Sequence, residues 1–384
     1  KLKPPKLQFL SGVDDPENMQ LFWCPIIGWN KYDHVMPGIA LYNNPLFQKK
    51  LDYVVAPMYS TKTSKLSGMF NAGYNWFADD GFIHDVRLGV SGKQFSFAND
   101  LFDMHYKRIV PSLKITFRPK TPRSPIIREL IIRNVNVFRN EIIWNLDADS
   151  NYVSSKTDSS YFVNKIKYSF NNTRVINPYS FSIVMQQSKV FVNASLEANY
   201  RITYNSKNRG LDIRFFSGYF ISKKPSYYDF RYQMSGYSGS DDLLLDQTYF
   251  GRSENKGLLS QQFIESDGAF KINTPYGDTW NWMTALNLKT SLPGRTPFVF
   301  YADIGTYDGA GKPSSGTEKI IYNAGIDIII ARGIFEIYFP LFLSADLKDY
   351  VELNKISFME RIRFTLNINK LNPFDIVKRN GRII

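Results

Sequence analysis

Apolar and polar residues alternate along most of this chain with a period of two. From Val192 to Asn205 the alternation has no error. Val192, Ala194, Leu196, Ala198, Tyr200, Ile202 and Tyr204 stand against Asn193, Ser195, Glu197, Asn199, Arg201, Thr203 and Asn205. A helix would scatter these apolar residues around its circumference, whereas a strand places them on one face. Similar runs recur at 66–76, 112–118, 165–170, 211–215, 322–330, 335–339 and 361–368. The longest exceeds the usual soluble strand and suits the tilted crossing of ~9–11 residues that a bilayer requires.

The pattern predicts strands at about 20–29, 35–43, 51–60, 65–77, 82–96, 105–118, 126–138, 160–171, 178–187, 190–204, 210–222, 278–290, 297–306, 319–330, 334–344 and 356–368. Every second connection is short: 44–50, 78–81, 119–125, 172–177, 205–209, 291–296 and 331–333. The alternate set holds the long ones, 139–159, 223–277, 307–318 and 345–355. A soluble sandwich alternates too, but it has no reason to sort its loops in this way. An outer-membrane barrel does, with short turns and both termini on the periplasmic side. The expected fold is therefore all-β, a transmembrane antiparallel up-and-down barrel of about sixteen strands. It would occupy residues 20–368, between a periplasmic linker at 1–19 and a periplasmic tail at 369–384. The long connection 223–277 would be an extracellular loop acting as cap or plug.

Some positions resist the pattern. Arg128, Glu129 and Arg133 lie out of clean phase between Ile126 and Val137, and Glu360 falls among the lipid-facing residues of the last strand. A bulge or a rim position is expected for Glu360. Pro25, Pro37, Pro57 and Pro111 sit inside expected strands, where they must meet a bulge or a strand end because they cannot donate to the ladder.

Composition sharpens the reading. Aromatic residues make up 16% of the chain, which favours a pleated surface. Mean hydropathy is −0.28, as expected where lipid-facing and lumen-facing residues average out. The formal charge of +12 suits phosphate-bearing partners. The cations are spread along the chain with no basic run or recognition motif, which argues against nucleic acid. Outer-membrane lipids, including lipopolysaccharide, are the partners such charge suits. Cys24 is the only cysteine, so no internal disulfide forms.

No catalytic motif is recognisable in the sequence. His34, His84 and His105 fall in or beside three different strands, without HExxH, HxH or a cysteine partner, and there is no GxSxG, Walker or GxGxxG sequence. No cofactor, metal or catalytic residue is expected of this chain. On the expected lumen face, Lys114, Arg118, Lys165, Lys167, Arg201, Arg214, Arg361 and Arg363 outnumber Glu197, Asp212, Asp327 and Glu336. This is either an anion-favouring pore or a closed lumen filled with ion pairs. In the long loop, Asp241, Asp242, Tyr249, Phe250 and Arg252 are candidate cap residues, with Leu243, Leu244 and Leu245 adding to a small apolar core. Asp241, Asp242 and Asp246 have the oxygen chemistry of a Ca²⁺ site but not EF-hand spacing. Trp23, Trp29, Trp76 and Trp282 are candidates for interfacial girdles.

The opening hairpins read Pro25-Ile26-Ile27-Gly28-Trp29-Asn30-Lys31-Tyr32-Asp33, Met36-Pro37-Gly38-Ile39-Ala40-Leu41-Tyr42-Asn43 and Asp52-Tyr53-Val54-Val55-Ala56-Pro57-Met58-Tyr59. With Gly210-Leu211-Asp212-Ile213-Arg214, Gly251-Arg252 and Leu371-Asn372-Pro373-Phe374, they resemble the C-terminal outer-membrane barrel of gluzincin-type zinc aminopeptidase-like proteins of Gram-negative bacteria. The resemblance covers roughly residues 17–376. It implies a barrel that anchors a periplasmic peptidase domain N-terminal to Lys1, or that serves a larger outer-membrane complex. With no HExxH here, it assigns no zinc ligand and no catalytic glutamate. A channel for small anionic solutes and a soluble β-rich adhesin or carbohydrate binder are the competing readings.

Overall fold

The computed structural model describes residues 6–10, 12, 20–43, 49–146, 152–204, 209–224, 230–292, 296–312 and 316–371. Strands occur in chain order at β1 (Lys6–Phe9), β2 (Gln20–Asn30), β3 (His34–Tyr42), β4 (Leu51–Tyr59), β5 (Leu66–Phe77), β6 (Ile83–Ala98), β7 (Met104–Phe117), β8 (Ile126–Leu146) and β9 (Tyr152–Asn172). They continue with β10 (Tyr179–Gln187), β11 (Phe191–Thr203), β12 (Gly210–Lys223), β13 (Gln262–Phe263), β14 (Trp282–Ser291), β15 (Phe298–Tyr307), β16 (Ile321–Ala331), β17 (Phe335–Leu343) and β18 (Arg363–Leu366).

Apart from β1 and β13, each strand pairs antiparallel with the next in sequence. These pairings run without a break from β2 to β18 as an up-and-down antiparallel sheet, and among the described residues no ladder joins β18 back to β2. Sixteen strands make this wall, the expected number. The two short strands add to its ends in parallel register, β1 on β2 and β13 on β18. Residues 6–9, expected in a linker, therefore extend the sheet. The rest of the 1–19 segment except Leu10 and Gly12, nearly all of the 369–384 tail, and Asn372-Pro373-Phe374 lie outside the described residues.

The connections sort onto two rims. One rim has only short connections, spanning 43–50, 78–82, 118–125, 173–178, 204–209, 292–297 and 332–334. The other carries the long segments 224–281, 308–320 and 344–362. Two expectations need correcting there. The stretch 139–159 is not a long loop: β8 and β9 run on past the rim as paired strands as far as Leu146 and Tyr152. The last strand is not 356–368 but β18 alone. It is preceded by the helices α1 (Ala345–Leu353) and α2 (Phe358–Arg361).

The capping box explains Glu360. Ser357 accepts from the Glu360 backbone N–H, and the Glu360 carboxylate accepts from the Ser357 backbone N–H at 2.8 Å. Glu360 thus starts a helical turn instead of facing lipid. Arg361, expected on the lumen wall, belongs to the same turn and lies over the Phe358 ring.

The prolines are accommodated where the ladder is already interrupted. Pairing between β3 and β4 lapses between Gly38 and Leu41, beside Pro57, and pairing between β7 and β8 lapses between Ile109 and Ser112, at Pro111. Pro25 lies past Trp23, where the β1 pairing ends. A missing N–H costs little at such gaps.

Alternation decides what each face meets. Outward side chains such as Ile27, Tyr74, Leu88, Ile183, Tyr219 and Ile330 are at least half exposed, and Ile27 is 80% exposed. Inward positions include Arg108, Asn287, Asp303, Asn323, Asp327 and Arg363, all nearly or fully buried. The barrel is apolar outside and polar within. No helix among the described residues is long and apolar enough to cross a membrane.

Candidate functional site

The interior of the barrel is occupied by its own longest connection. Residues 230–281 fold into the lumen and are tied to the wall on several sides. On the β14–β17 side, β15 alternates Phe298, Phe300, Ala302 and Ile304 outward with Val299, Tyr301, Asp303 and Gly305 inward. This aims the fully buried Asp303 at the loop. Lys271 of the loop reaches Asp303 at 3.1 Å and Glu265 at 3.2 Å. From β14, Lys289 reaches Glu265 at 2.7 Å and Glu336 at 2.9 Å, while Asp327 lies 3.7 Å away. The Tyr338 hydroxyl donates to Glu336 at 2.6 Å. Burial of this many charges is tolerable only because each sits beside opposite charge or hydrogen-bond partners.

On the opposite wall, Asp246 of the loop bridges two arginines. Arg133 grips both carboxylate oxygens, one at 2.8 Å, and Arg108 donates to the same group. Burial alone would raise the Asp246 carboxyl, but the two guanidiniums outweigh it and hold it well below the usual carboxylate range. Asp267 lies deeper in the loop, and burial pushes it up to about 7 despite Arg214 nearby. A third tie lies under the β2–β3 turn. There Lys31 pairs with Glu254, the Tyr32 hydroxyl donates to Glu254 at 3.1 Å, and the Ser253 N–H donates to Tyr32 at 2.8 Å.

Apolar packing completes the closure. Phe230, Tyr232, Met234, Phe270 and Ile272 of the loop pack with Phe191, Phe216, Phe220 and Met283 of the wall. Two glycines in the wall make room. A Cβ on Gly218 would lie 2.6 Å from the Tyr232 ring, and one on Gly305 the same distance from the Met234 sulfur.

The remaining lumen candidates take varied places. Lys114 pairs with Glu129 at 2.5 Å, Glu197 with Arg214 at 2.6 Å, and Arg201 with Asp212 at 2.7 Å. Arg214 also donates to the Asp267 carbonyl at 2.8 Å, so it touches the loop. Arg363 donates to the Ser235 carbonyl at 2.5 Å and lies 4.0 Å from the centre of the Phe263 ring. Lys165 and Lys167 line a cavity of about 230 Å³ between the loop and the wall. Arg118 is a rim residue beyond the end of β7 and binds the Gly81 carbonyl at 3.0 Å.

The acidic residues of the loop do not gather into a cation site. Asp242 pairs with the buried Arg252 at 3.2 Å, Asp241 accepts from the Gln233 side chain at 2.8 Å, and Asp246 is held by the wall. Arg252 also stacks over Tyr249, and Phe250 packs edge-on against Trp29. Trp29 and Trp282 stand at the long-loop rim, and Trp23 and Trp76 at the short-turn rim. His105 takes part in a different fastening. Its Nδ1 is 2.9 Å from the Ser96 hydroxyl, which donates to Asp33, and its Nε2 is 2.7 Å from Lys65.

Sequence reading missed Lys271, Lys289, Asp303 and Glu265 as a group, and Arg108 and Arg133 as partners of Asp246. The inward phase of Asp303 and Lys289 was a usable signal; the loop residues that meet them had none.

No family model matches the chain, and no curated protein matches it. Among solved structures it is similar to BamA from Haemophilus ducreyi lacking POTRA domains 1–3, with a TM-score of 0.45 and 12% identity over 83% of this chain and 66% of that one. It is also similar to CdiB from Acinetobacter baumannii, with a TM-score of 0.36 and 11% identity over 85% and 57%. The chain thus spans about two thirds of the first and less of the second. Neither bears on the aminopeptidase-like resemblance of the opening hairpins.

Proposed function

We propose that this chain is an outer-membrane barrel closed by its own loop, serving as anchor or scaffold for a periplasmic domain or a larger outer-membrane assembly. The observation that carries the reading is the inverted polarity of the wall. Water-soluble proteins keep contiguous apolar surface small and put charge outside. Here large apolar side chains face outward around the barrel, while charged groups are buried within. The same feature argues against a soluble adhesin. The two edge strands are partly covered, β2 by β1 and β18 by β13, which leaves few strand edges to satisfy in lipid. The partners this reading calls for are outer-membrane lipids, including lipopolysaccharide, a periplasmic domain N-terminal to Lys1, and other subunits of an assembly. The resemblance of the opening hairpins suggests that such a domain is peptidase-like. No chemistry is proposed for the barrel itself.

A second reading, a channel for small anionic solutes, is favoured by one observation. A cavity of about 670 Å³ near the short-turn rim is lined by Arg174, Arg201, Arg214, Lys271, Lys289 and Arg332 against Asp212, Glu265 and Glu336. The two readings separate in planar bilayers. The closed anchor is expected to be electrically silent apart from brief openings, and a steady anion-selective conductance would favour the channel. Both expect detergent-dependent extraction and heat-modifiable gel mobility; a protein that stays soluble without detergent would end both.

A further inference from the structure

The two rims differ in charge. Among the described residues the short-turn rim carries Lys49, Lys50, Lys120, Arg123, Arg128 and Arg209 against Asp52, Asp79, Asp80, Asp85 and Glu336. Arg118, Arg174 and Arg332 add to it, engaged with the Gly81 carbonyl, the Asn177 carbonyl and Asp212 respectively. The long-loop rim mixes signs. Lys31 pairs there with Glu254, Arg139 with Glu141, Arg231 with Asp278 and Lys348 with Glu352.

A second observation places this basic rim against the apolar exterior. Arg128 has its guanidinium 5.7 Å from the Phe82 ring and 6.0 Å from that of Phe117. Arg174 sits 5.2 Å from the ring of Tyr179. Phe82, Val175 and Ile176, at the tips of two turns, are each about two-thirds exposed. Apolar tips and cations therefore interleave at the foot of the apolar wall. Water alone would solvate the cations but not these tips. A headgroup layer accommodates both, with rings and aliphatic groups at the acyl boundary and guanidinium or ammonium groups at phosphate.

We propose that the short-turn rim is a docking surface for anionic phospholipid headgroups, recognised through their phosphate esters and net charge. The proposal rests on the membrane-barrel reading. Each basic residue close to an anionic surface adds to the attraction, which salt screens.

The test is native mass spectrometry of the purified chain, released from micelles doped equally with phosphatidylglycerol and phosphatidylcholine. Wild type is expected to retain phosphatidylglycerol severalfold over phosphatidylcholine. Lys50→Gln/Lys120→Gln/Arg123→Gln should cut that preference about threefold or more, and 0.5 M salt should weaken it. A charge-matched control at the other rim, Lys312→Gln/Lys348→Gln/Lys355→Gln, should leave it unchanged. Equal retention of the two lipids by wild type, or an equal loss in both triple variants, overturns the proposal. So does binding of a soluble polyglutamate peptide that depends on the same three residues without a lipid preference, since an acidic protein would then be the occupant. Heat-modifiable mobility is checked on every variant. Its absence in wild type would defeat the barrel reading itself, whereas a folded barrel without lipid preference defeats only the docking surface.

Discussion

Excision of residues 231–280, with β12 and β14 joined by a short Gly/Ser turn, should give a barrel that conducts steadily in a planar bilayer. The flanks are already adjacent: Tyr219 pairs with Trp282, and the Phe220 N–H donates to the Asn281 carbonyl at 2.7 Å. A short turn therefore suffices to close the hairpin. Barrels of about sixteen strands leave an aqueous channel unless something fills it. Here the loop supplies that filling. The excised barrel keeps Arg108, Arg133, Lys165, Lys167, Arg214 and Arg363 on its wall against Glu197, Asp303, Asp327 and Glu336, so the open pore should favour anions. Silence from a variant that still shows β-barrel circular dichroism would mean that the loop is not what closes the lumen.

Asp246→Ala should produce the largest effect of any single substitution in the loop. It removes the one carboxylate shared by Arg108 and Arg133 and leaves two guanidiniums, one 8% exposed, facing each other in the lumen. Breaking a buried ion pair on one side costs about 3–5 kcal/mol, because the remaining charge is uncompensated. The wall should survive, since its ladders do not involve residue 246, while the loop detaches from the β7–β8 side. Limited proteolysis should then cut within 231–280 at least tenfold faster than in wild type, and bilayer recordings should show frequent openings. Wild-type protease resistance in the variant would show that the Lys271–Asp303 side holds the loop by itself.

The wall was legible in the sequence and the plug was not, for one physical reason. Along β11 every residue faces either lipid or lumen, so Val192 to Thr203 display the alternation that a two-sided environment imposes. Beyond the bilayer that constraint vanishes. Residues 139–146 and 152–159 are strand, but both of their faces meet water, and Trp144 and Val153 among Asn145, Ser154 and Ser155 show no clean phase. At 357–360 two signals competed. The alternating Ile362, Phe364 and Leu366 suggested a strand reaching back to 356, while the Ser-x-x-Glu spacing already spelled a capping box, and the cap prevails. Some plug contacts join residues more than a hundred positions apart, as Asp246 with Arg133 and with Arg108, and no local pattern encodes such pairs. No sequence pattern marked Gly218 and Gly305. They are the places where Tyr232 and Met234 press against the wall.

The central claim is that the outer face of this barrel meets lipid and the inner face does not. A spin-label scan along β11 tests it most directly, with Cys24 replaced by alanine and single cysteines placed at positions 194 to 202 in lipid vesicles. The account predicts a period of two. Positions 194, 196, 198, 200 and 202 should be open to oxygen and closed to a water-soluble relaxation agent, with the intervening positions shielded from oxygen. Uniform access of the water-soluble agent to the even positions would contradict it.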